Sequence, residues 1–471
     1  MRISNIGFFI ILQLLGLTLW LLNSHATVVH SQNVEYLPGF DGPLPFSLET
    51  GYIGMDKGEV QLFYYFFESE NNPKQDPVIL WLTGGPLCSA MSAILYEIGP
   101  IQLEEVDNIE TIPKLFLRQY AWTKTASILF VDFPAGAGFS YAETSRANYS
   151  GDFKASHNIN QFLRKWLLNH PQFLSNPLYL GGDSYIGFTL PLYFIDMVYD
   201  NERGSQPFLN LKGYILGNPA TDRFIDSNYQ VPFAHGMGLI SDEQYESLQR
   251  TYKGQYQLVN ARNQECRNNI KNFEWGLLGI QITMTLESYC DIDSLRIHGI
   301  SGSKRRKMID RVNSLLHLKQ LGAYTCRKEG YLVAKHWMNQ KSVQKALHVR
   351  KETIGNWIRC NYKFNYSYEV PSSVPYHVKI SAKGFRSLIY SGDHDMIVPF
   401  LGTQAWIRSL NYSIIDDWRK WLVDSQIAGF TRTYANRMTF ATVKGAGHTA
   451  PEYKPKQCAF MFKRWIRGEA L

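Results

Sequence analysis

The sequence predicts an α/β sandwich whose chemistry is gathered beyond one edge of a buried parallel sheet. Three observations predict it. Continuous apolar runs recur along the chain, and each stops at a loop containing glycine or proline: "PVILWLTGGP" (77–86), "SILFVDFPAGAG" (127–138), "LYLGGDS" (178–184), "LKGYILGNPATD" (211–222), "RSLIYSGDHD" (386–395) and "MTFATVKGAGH" (438–448). Runs that are apolar throughout fit strands buried on both faces better than half-exposed ones. Helical patterns lie between them. In "ASHNINQFLRKWLLNHP", Ile159, Phe162, Leu163, Trp166 and Leu167 keep the i, i+3, i+4, i+7, i+8 spacing of one helix face, with Pro171 just beyond. The unusual polar residues follow the strand runs directly, where open α/β sheets carry their ligands.

Taken in order, the first 26 residues read as an export signal. Arg2 gives a basic start, "IGFFIILQLLGLTLWLL" an apolar core, and Ser24 and Ala26 the small residues before a cleavage after Ala26. The core is 17 residues and is broken by Gln13 and Gly16, short for a membrane anchor. A soluble exported chain from residue 27 to 471 is therefore expected, extracellular or vacuolar. "TGYIGMDKGEVQLFYYFFES" (50–69) predicts an antiparallel hairpin turning near Asp56 to Gly58. From about 225 to 345 the strand rhythm stops, and helix-compatible sequence predicts an insertion capping the sheet.

Bulk composition excludes other classes. The 471 residues are 45% hydrophobic and 19% charged, enough to bury a large core and too apolar for disorder. The net charge of +7 is spread out, and its densest run, "SKRRK" at 303–307, lacks interleaved aromatics, so no nucleic-acid partner is expected. The six cysteines contain no CxxC pair, which argues against zinc and redox motifs and, in an exported chain, for disulfides. "NYS" occurs at Asn148, Asn365 and Asn411, three acceptor sites for N-glycosylation.

Ser184 in "YLGGDSYIGF" has the surroundings of a nucleophile on a sharp strand-to-helix turn. A serine hydroxyl needs a base to take its proton and an acid to orient that base. "GDHDMIVP" offers Asp393 and Asp395; the spacing G-x-x-D-x-x-x-P favours Asp395 as the acid and Asp393 as a turn former. "GAGHTAP" places His448 on a glycine-rich loop after the last strand run. An oxyanion needs N–H donors, expected from the Tyr185 amide and from "TGGP", at Gly85. No metal or organic cofactor is called for.

Together "WLTGGPLCSA", "VDFPAGAGFSYA", "GGDSYIG", "GNPATD", "YSGDHDMIVPFLGTQAW" and "GAGHTAPEYKP" resemble the serine carboxypeptidase family from about Leu37 onward. The resemblance is nearest to its plant carboxypeptidase-like branch, which includes acyltransferases using sugar esters. It implies an α/β-hydrolase fold with Ser184, Asp395 and His448 as the triad and the Gly85 and Tyr185 amides as the oxyanion hole. Peptidases of the family hold the peptide's terminal carboxylate with an asparagine before the two glycines and a glutamate before the serine. Here those positions are Thr83, preceding Gly84, and Asp183, the pair common in the acyltransferase branch; the alternative for Asp183 is a helix cap.

Three departures stand out. Leu87 replaces a family glycine, Ile186 a small residue where helix and strand approach closely, and Phe133 a glutamine. The resemblance implies disulfides Cys88–Cys360 and Cys290–Cys326. It leaves Cys266 without its partner, because Tyr252 stands at that position, and Cys458 also unpaired. It also suggests "SKRRK" as a processing site. The expected reaction is an acyl-enzyme on Ser184, resolved by water in a carboxypeptidase that releases C-terminal residues, or by an alcohol in an acyltransferase drawing on a glucose ester. The expected partner is accordingly a peptide or a small acyl ester. A weakened or non-catalytic relative is the rival, carried by Leu87, Ile186 and Phe133.

Overall fold

The computed structural model describes residues 30–104, 111–257, 263–289 and 327–471. The export signal, "SKRRK", Cys290 and Cys326 lie outside them. The strands that position the site are β1 (His30–Asn33), β2 (Leu48–Met55), β3 (Val60–Phe67), β4 (Val78–Leu82), β5 (Ser127–Val131), β6 (Leu178–Asp183), β7 (Leu211–Gly217), β8 (Arg386–Gly392), β9 (Ile414–Val423), β10 (Gln426–Tyr434) and β11 (Met438–Val443). In space they run β1-β2-β3-β5-β4-β6-β7-β8-β11-β10-β9, with Tyr141–Ala142 completing a twelve-stranded sheet beside β3. The six apolar runs of the sequence are the six central strands, β5-β4-β6-β7-β8-β11, and every neighbouring pair among them is parallel. This is the α/β-hydrolase architecture: a mixed, mostly parallel sheet between helices.

Antiparallel strands flank that centre. The predicted hairpin is β2–β3, turning at Asp56–Gly58. A second hairpin, β9–β10, escaped the sequence reading. Its two-residue turn, Asp424 and Ser425, has φ of 49° and 61°, the left-handed pair that matches strand twist.

Alternation along the strands feeds two apolar layers. Ile79 and Trp81 of β4 join the core on one face, while Val78, Leu80 and Leu82 join the other. Helices α1 (Asp152–Asn169) and α2 (Ile186–Glu202) cover the second face, and all five residues of the predicted α1 stripe are buried there.

Within 225–345 the described residues form helices and turns and no strand. Helices α3 (Asp242–Tyr252) and α4 (Gln264–Gly276) pack a small core that includes Leu248, Tyr252, Cys266 and Phe273, joined by Met396 from the sheet's edge. Cys266 forms no disulfide among the described residues; Tyr252 donates its hydroxyl to the Cys266 carbonyl at 2.5 Å. Cys458, also free, is buried in a different core. No helix among the described residues is long and apolar enough to cross a membrane.

Candidate active site

Strand β6 ends at Asp183 and α2 begins at Ile186, so two residues make the whole turn. Ser184 holds φ at 55°, a left-handed conformation that costs a non-glycine residue about 1–2 kcal/mol. Hydrogen bonds over-determine it: its N–H donates to Gly217 O at 3.0 Å, and its carbonyl accepts from Gly187 at 2.9 Å and Ala220 at 3.0 Å. The Gly84 backbone passes so close that a Cβ there would stand 2.6 Å from the Ser184 Cβ.

Ile186 is accommodated, contrary to the expectation of crowding. Its Cγ2 occupies the space above Gly182, where an added Cβ would meet it at 2.5 Å and Leu82 O at 2.6 Å. The absent side chain at 182 is what makes room for the branched one at 186. Gly182→Ala is therefore expected to destabilise the fold by about 2 kcal/mol. Adding Ile186→Ala should recover only part of the lost melting temperature, because the Leu82 carbonyl remains in the way.

His448 and Asp395 reach the serine from the ends of β11 and β8. The Ser184 hydroxyl donates to His448 Nε2 at 2.7 Å, and His448 Nδ1–H donates to Asp395 Oδ2 at 2.7 Å. Asp395 is fully buried, with Oδ1 accepting from the amides of Ile397 (2.9 Å) and Val398 (3.3 Å). Asp393 instead accepts from the Gly445 amide at 2.7 Å, a turn-forming role. Burial alone would lower the His448 pKa; the Asp395 charge and hydrogen bond, with Asp183 behind them, outweigh it and hold it above the ordinary 6.5.

Sequence reasoning missed two supports of this chain. Asn218, at the end of β7, donates Nδ2 to Asp395 Oδ2 at 2.9 Å and accepts from the Gly392 amide at 3.2 Å. It lies within the "GNPATD" motif, and its position after a strand run was the available signal. The second support is backbone from residues 282–285. His448 N–H donates to Thr283 O (2.7 Å), Met396 N–H to Ile282 O (2.9 Å) and Thr285 N–H to His394 O (3.1 Å). Carbonyls leave no mark on a sequence.

Among the described residues the amides of Gly85 and Tyr185 have no hydrogen-bond acceptor, leaving two donors beside Ser184 Oγ. The loop carrying Gly85 is anchored three ways. Cys88 is disulfide-bonded to Cys360. The chains flanking that bond pair as Ser89 N–H to Arg359 O at 2.7 Å and Asn361 N–H to Leu87 O at 3.0 Å. Asp132 Oδ1 accepts from Ser89 Oγ at 2.7 Å and from the Ala90 amide at 2.8 Å; burial pushes this carboxyl up to about 6 against those bonds. Leu87 is buried with φ at 70°, so the left-handed conformation that suits a glycine there is carried by a leucine. Phe133 packs into the core against Tyr193.

Behind the serine lies an acidic floor. Asp183 is buried and its Oδ1 accepts from the Gly84 amide at 3.0 Å, so it does not cap α2. Burial raises its pKa, opposed by the Gly84 bond, His448 and Arg359. Glu97, unassigned by sequence reasoning, is fully buried; desolvation and then the charges of Asp183 and Glu452 push its carboxyl well above the usual range. A lone acid inside the apolar "AILYEIGP" was its signal. The Arg359 guanidinium lies 3.8 Å from the Tyr331 ring centroid and moderates both acids. Thr83 Oγ1 is buried without a partner among the described residues.

With this geometry in place, comparison with known proteins is direct. A model of the family described as serine carboxypeptidase matches residues 38–468. Serine carboxypeptidase-like 19 of Arabidopsis thaliana is 50% identical over 453 residues, covering 95% of this chain and 96% of that protein. Serine carboxypeptidase-like 17 of the same plant is 48% identical, covering 96% of this chain and 98% of that one. Among solved structures, a prohormone-processing carboxypeptidase of Saccharomyces cerevisiae shares the fold, with a TM-score of 0.71 at 20% identity over 92% of this chain and 94% of that one. The chain belongs to the serine carboxypeptidase family and is a serine-type, carboxypeptidase-like enzyme.

Proposed function

We propose that this protein is an acyltransferase that moves an acyl group from a sugar ester to an alcohol. Ser184 Oγ attacks the ester carbonyl while His448 Nε2 takes its proton, and the oxyanion rests on the Gly85 and Tyr185 amides. His448 returns the proton to the departing sugar oxygen. It then deprotonates the acceptor alcohol, whose oxygen attacks the acyl-enzyme and releases Ser184. Asp395 holds the imidazole tautomer throughout.

One observation carries the choice of a sugar ester over a peptide as donor: Asp183 closes on the Gly84 amide at 3.0 Å. That amide, beside the nucleophile, is thereby spent, and Asp183, shorter than the glutamate of family peptidases, is turned toward the backbone at the place where a peptide's terminal carboxylate would lie. Hydroxyl groups of a sugar ester can donate to this acceptor, whereas a terminal carboxylate needs a donor, which Asp183, engaged as an acceptor by the Gly84 amide, does not supply. The Tyr185 ring, next to the nucleophile, meets Phe188 and Tyr368 at 5.5 Å and Tyr366 at 6.1 Å, an aromatic cluster of the kind that can pack against an aromatic acyl group. Release of C-terminal residues is the second reading, favoured by Glu97, since a carboxyl kept neutral by burial can donate to a carboxylate. The proposal includes passage through the secretory route, and the sequon residues Asn148, Asn365 and Asn411 are all exposed to receive glycans.

The test is a mass-spectrometric screen with phenolic glucose esters plus small alcohols, and separately with blocked dipeptides, using Ser184→Ala as control. A new ester absent from the control is the expected result. Free amino acid from the dipeptides without ester formation would establish the second reading, and no product from well-folded protein the non-catalytic one.

A further inference from the structure

We propose that Asp152 is a positioning residue for oxyanion stabilisation, acting through the side chain of Tyr185. This rests on the reading that Ser184 is the nucleophile and that the Tyr185 amide receives the oxyanion. Asp152 is the first residue of α1, wholly buried, and distant from Ser184 in sequence. Its carboxylate is fully engaged. Oδ1 accepts from the Tyr185 hydroxyl and from the Tyr366 hydroxyl, each at 2.8 Å. Oδ2 accepts from the amides of Glu369 at 2.7 Å and Val370 at 2.8 Å. The tie is reciprocal, because Glu369 Oε2 accepts from the Phe153 amide at 3.0 Å and so closes the start of α1.

The consequence for Tyr185 is specific. The peptide plane that presents the Tyr185 amide is held at its carbonyl, where Ser184 O accepts from Gly187 and Ala220, while the amide itself is unpaired among the described residues, and the Tyr185 side chain supplies a second hold on that plane. Its ring is wedged among Phe188, Tyr366 and Tyr368, and its hydroxyl is pinned to Asp152. A phenol held at its far end acts as a lever on the peptide plane that carries the oxyanion donor. Tyr193, Tyr366, Arg223 and Asp152 are the charged or titratable groups that face this hydroxyl electrostatically. Only Asp152 among them is a carboxylate able to accept its proton in a hydrogen bond. A donor misplaced by about 1 Å can cost on the order of 10²-fold in rate.

The experiment compares the rate of Ser184 labelling by a fluorophosphonate, and kcat and KM on a 4-nitrophenyl ester, in wild type, Tyr185→Phe, Asp152→Asn and the double variant, with thermal unfolding in parallel. Tyr185→Phe removes only the hydroxyl and leaves Asp152 three partners, so it is expected to fold. Both single variants should label about 10- to 100-fold more slowly, with kcat reduced and KM nearly unchanged. The double variant should be no slower than the worse single, because the two changes cut one connection. A Tyr185→Phe protein that labels at the wild-type rate overturns the proposal, whether or not Asp152→Asn folds. So does an Asp152→Asn protein with only a lowered melting temperature, or additive losses in the double variant. Should Asp152→Asn not fold, slow labelling by Tyr185→Phe at unchanged KM upholds it. A wild type that does not label at all removes the nucleophile reading, and this inference with it.

Discussion

Asp395→Asn is expected to lower kcat by about 10⁴-fold while the protein stays folded. The hydrogen bonds dictate why. Oδ1 of Asp395 accepts from the Ile397 and Val398 amides, so the asparagine oxygen must remain there and its NH₂ must face His448 Nδ1. Nδ1 is then forced to accept, the ring proton moves to Nε2, and Nε2 loses the lone pair that takes the Ser184 proton. The same NH₂ also faces the Asn218 amide nitrogen, which had donated to the lost carboxylate oxygen. The pH profile gives a second readout. His448 must be neutral to act as base, and its raised pKa sets the acid limb of kcat/KM above the ordinary histidine value of 6.5. Without the Asp395 charge the imidazolium is less favoured, so the acid limb of the residual activity should move to lower pH. An unchanged limb in a folded variant would mean that another base serves Ser184.

Replacing both Cys88 and Cys360 by serine should cost about 4 kcal/mol of stability and a larger share of activity. The bond closes a span of 272 residues, so its loss frees much of the denatured chain. It also joins the loop bearing the Gly85 amide to the segment after Arg359. With it gone, that loop keeps the two flanking backbone hydrogen bonds and the Asp132 contacts. Unfolding in denaturant measures the first effect. Fluorophosphonate labelling, at denaturant concentrations where the variant is still native, measures the second. Labelling as fast as wild type would show that the flanking backbone hydrogen bonds and the Asp132 contacts suffice to hold the Gly85 loop.

Sequence reading reached the six central strands because a strand buried on both faces must be apolar throughout, and few other elements produce such runs. It reached Ser184, Asp395 and His448 because the strand ends gather polar residues that a core cannot hold. The β9–β10 hairpin was missed for the opposite reason. Ile415 and Trp418 are exposed while Trp421 and Val423 are buried, and bulges between 414 and 419 spoil the alternation. Ile186 misled because crowding is a property of a pair, and its partner is the side chain that Gly182 lacks. Leu87, in place of a family glycine, does carry a left-handed φ of 70°, yet the triad hydrogen bonds are formed at 2.7 Å.

The three backbone hydrogen bonds from Ile282, Thr283 and Thr285 to the loops of His394, Met396 and His448 have a practical corollary for protein engineering. Exchanging the 225–345 segment between relatives to graft a new preference would also exchange the brace of the imidazole. A workable chimaera keeps residues 281–287 with the recipient sheet and places its junctions outside them.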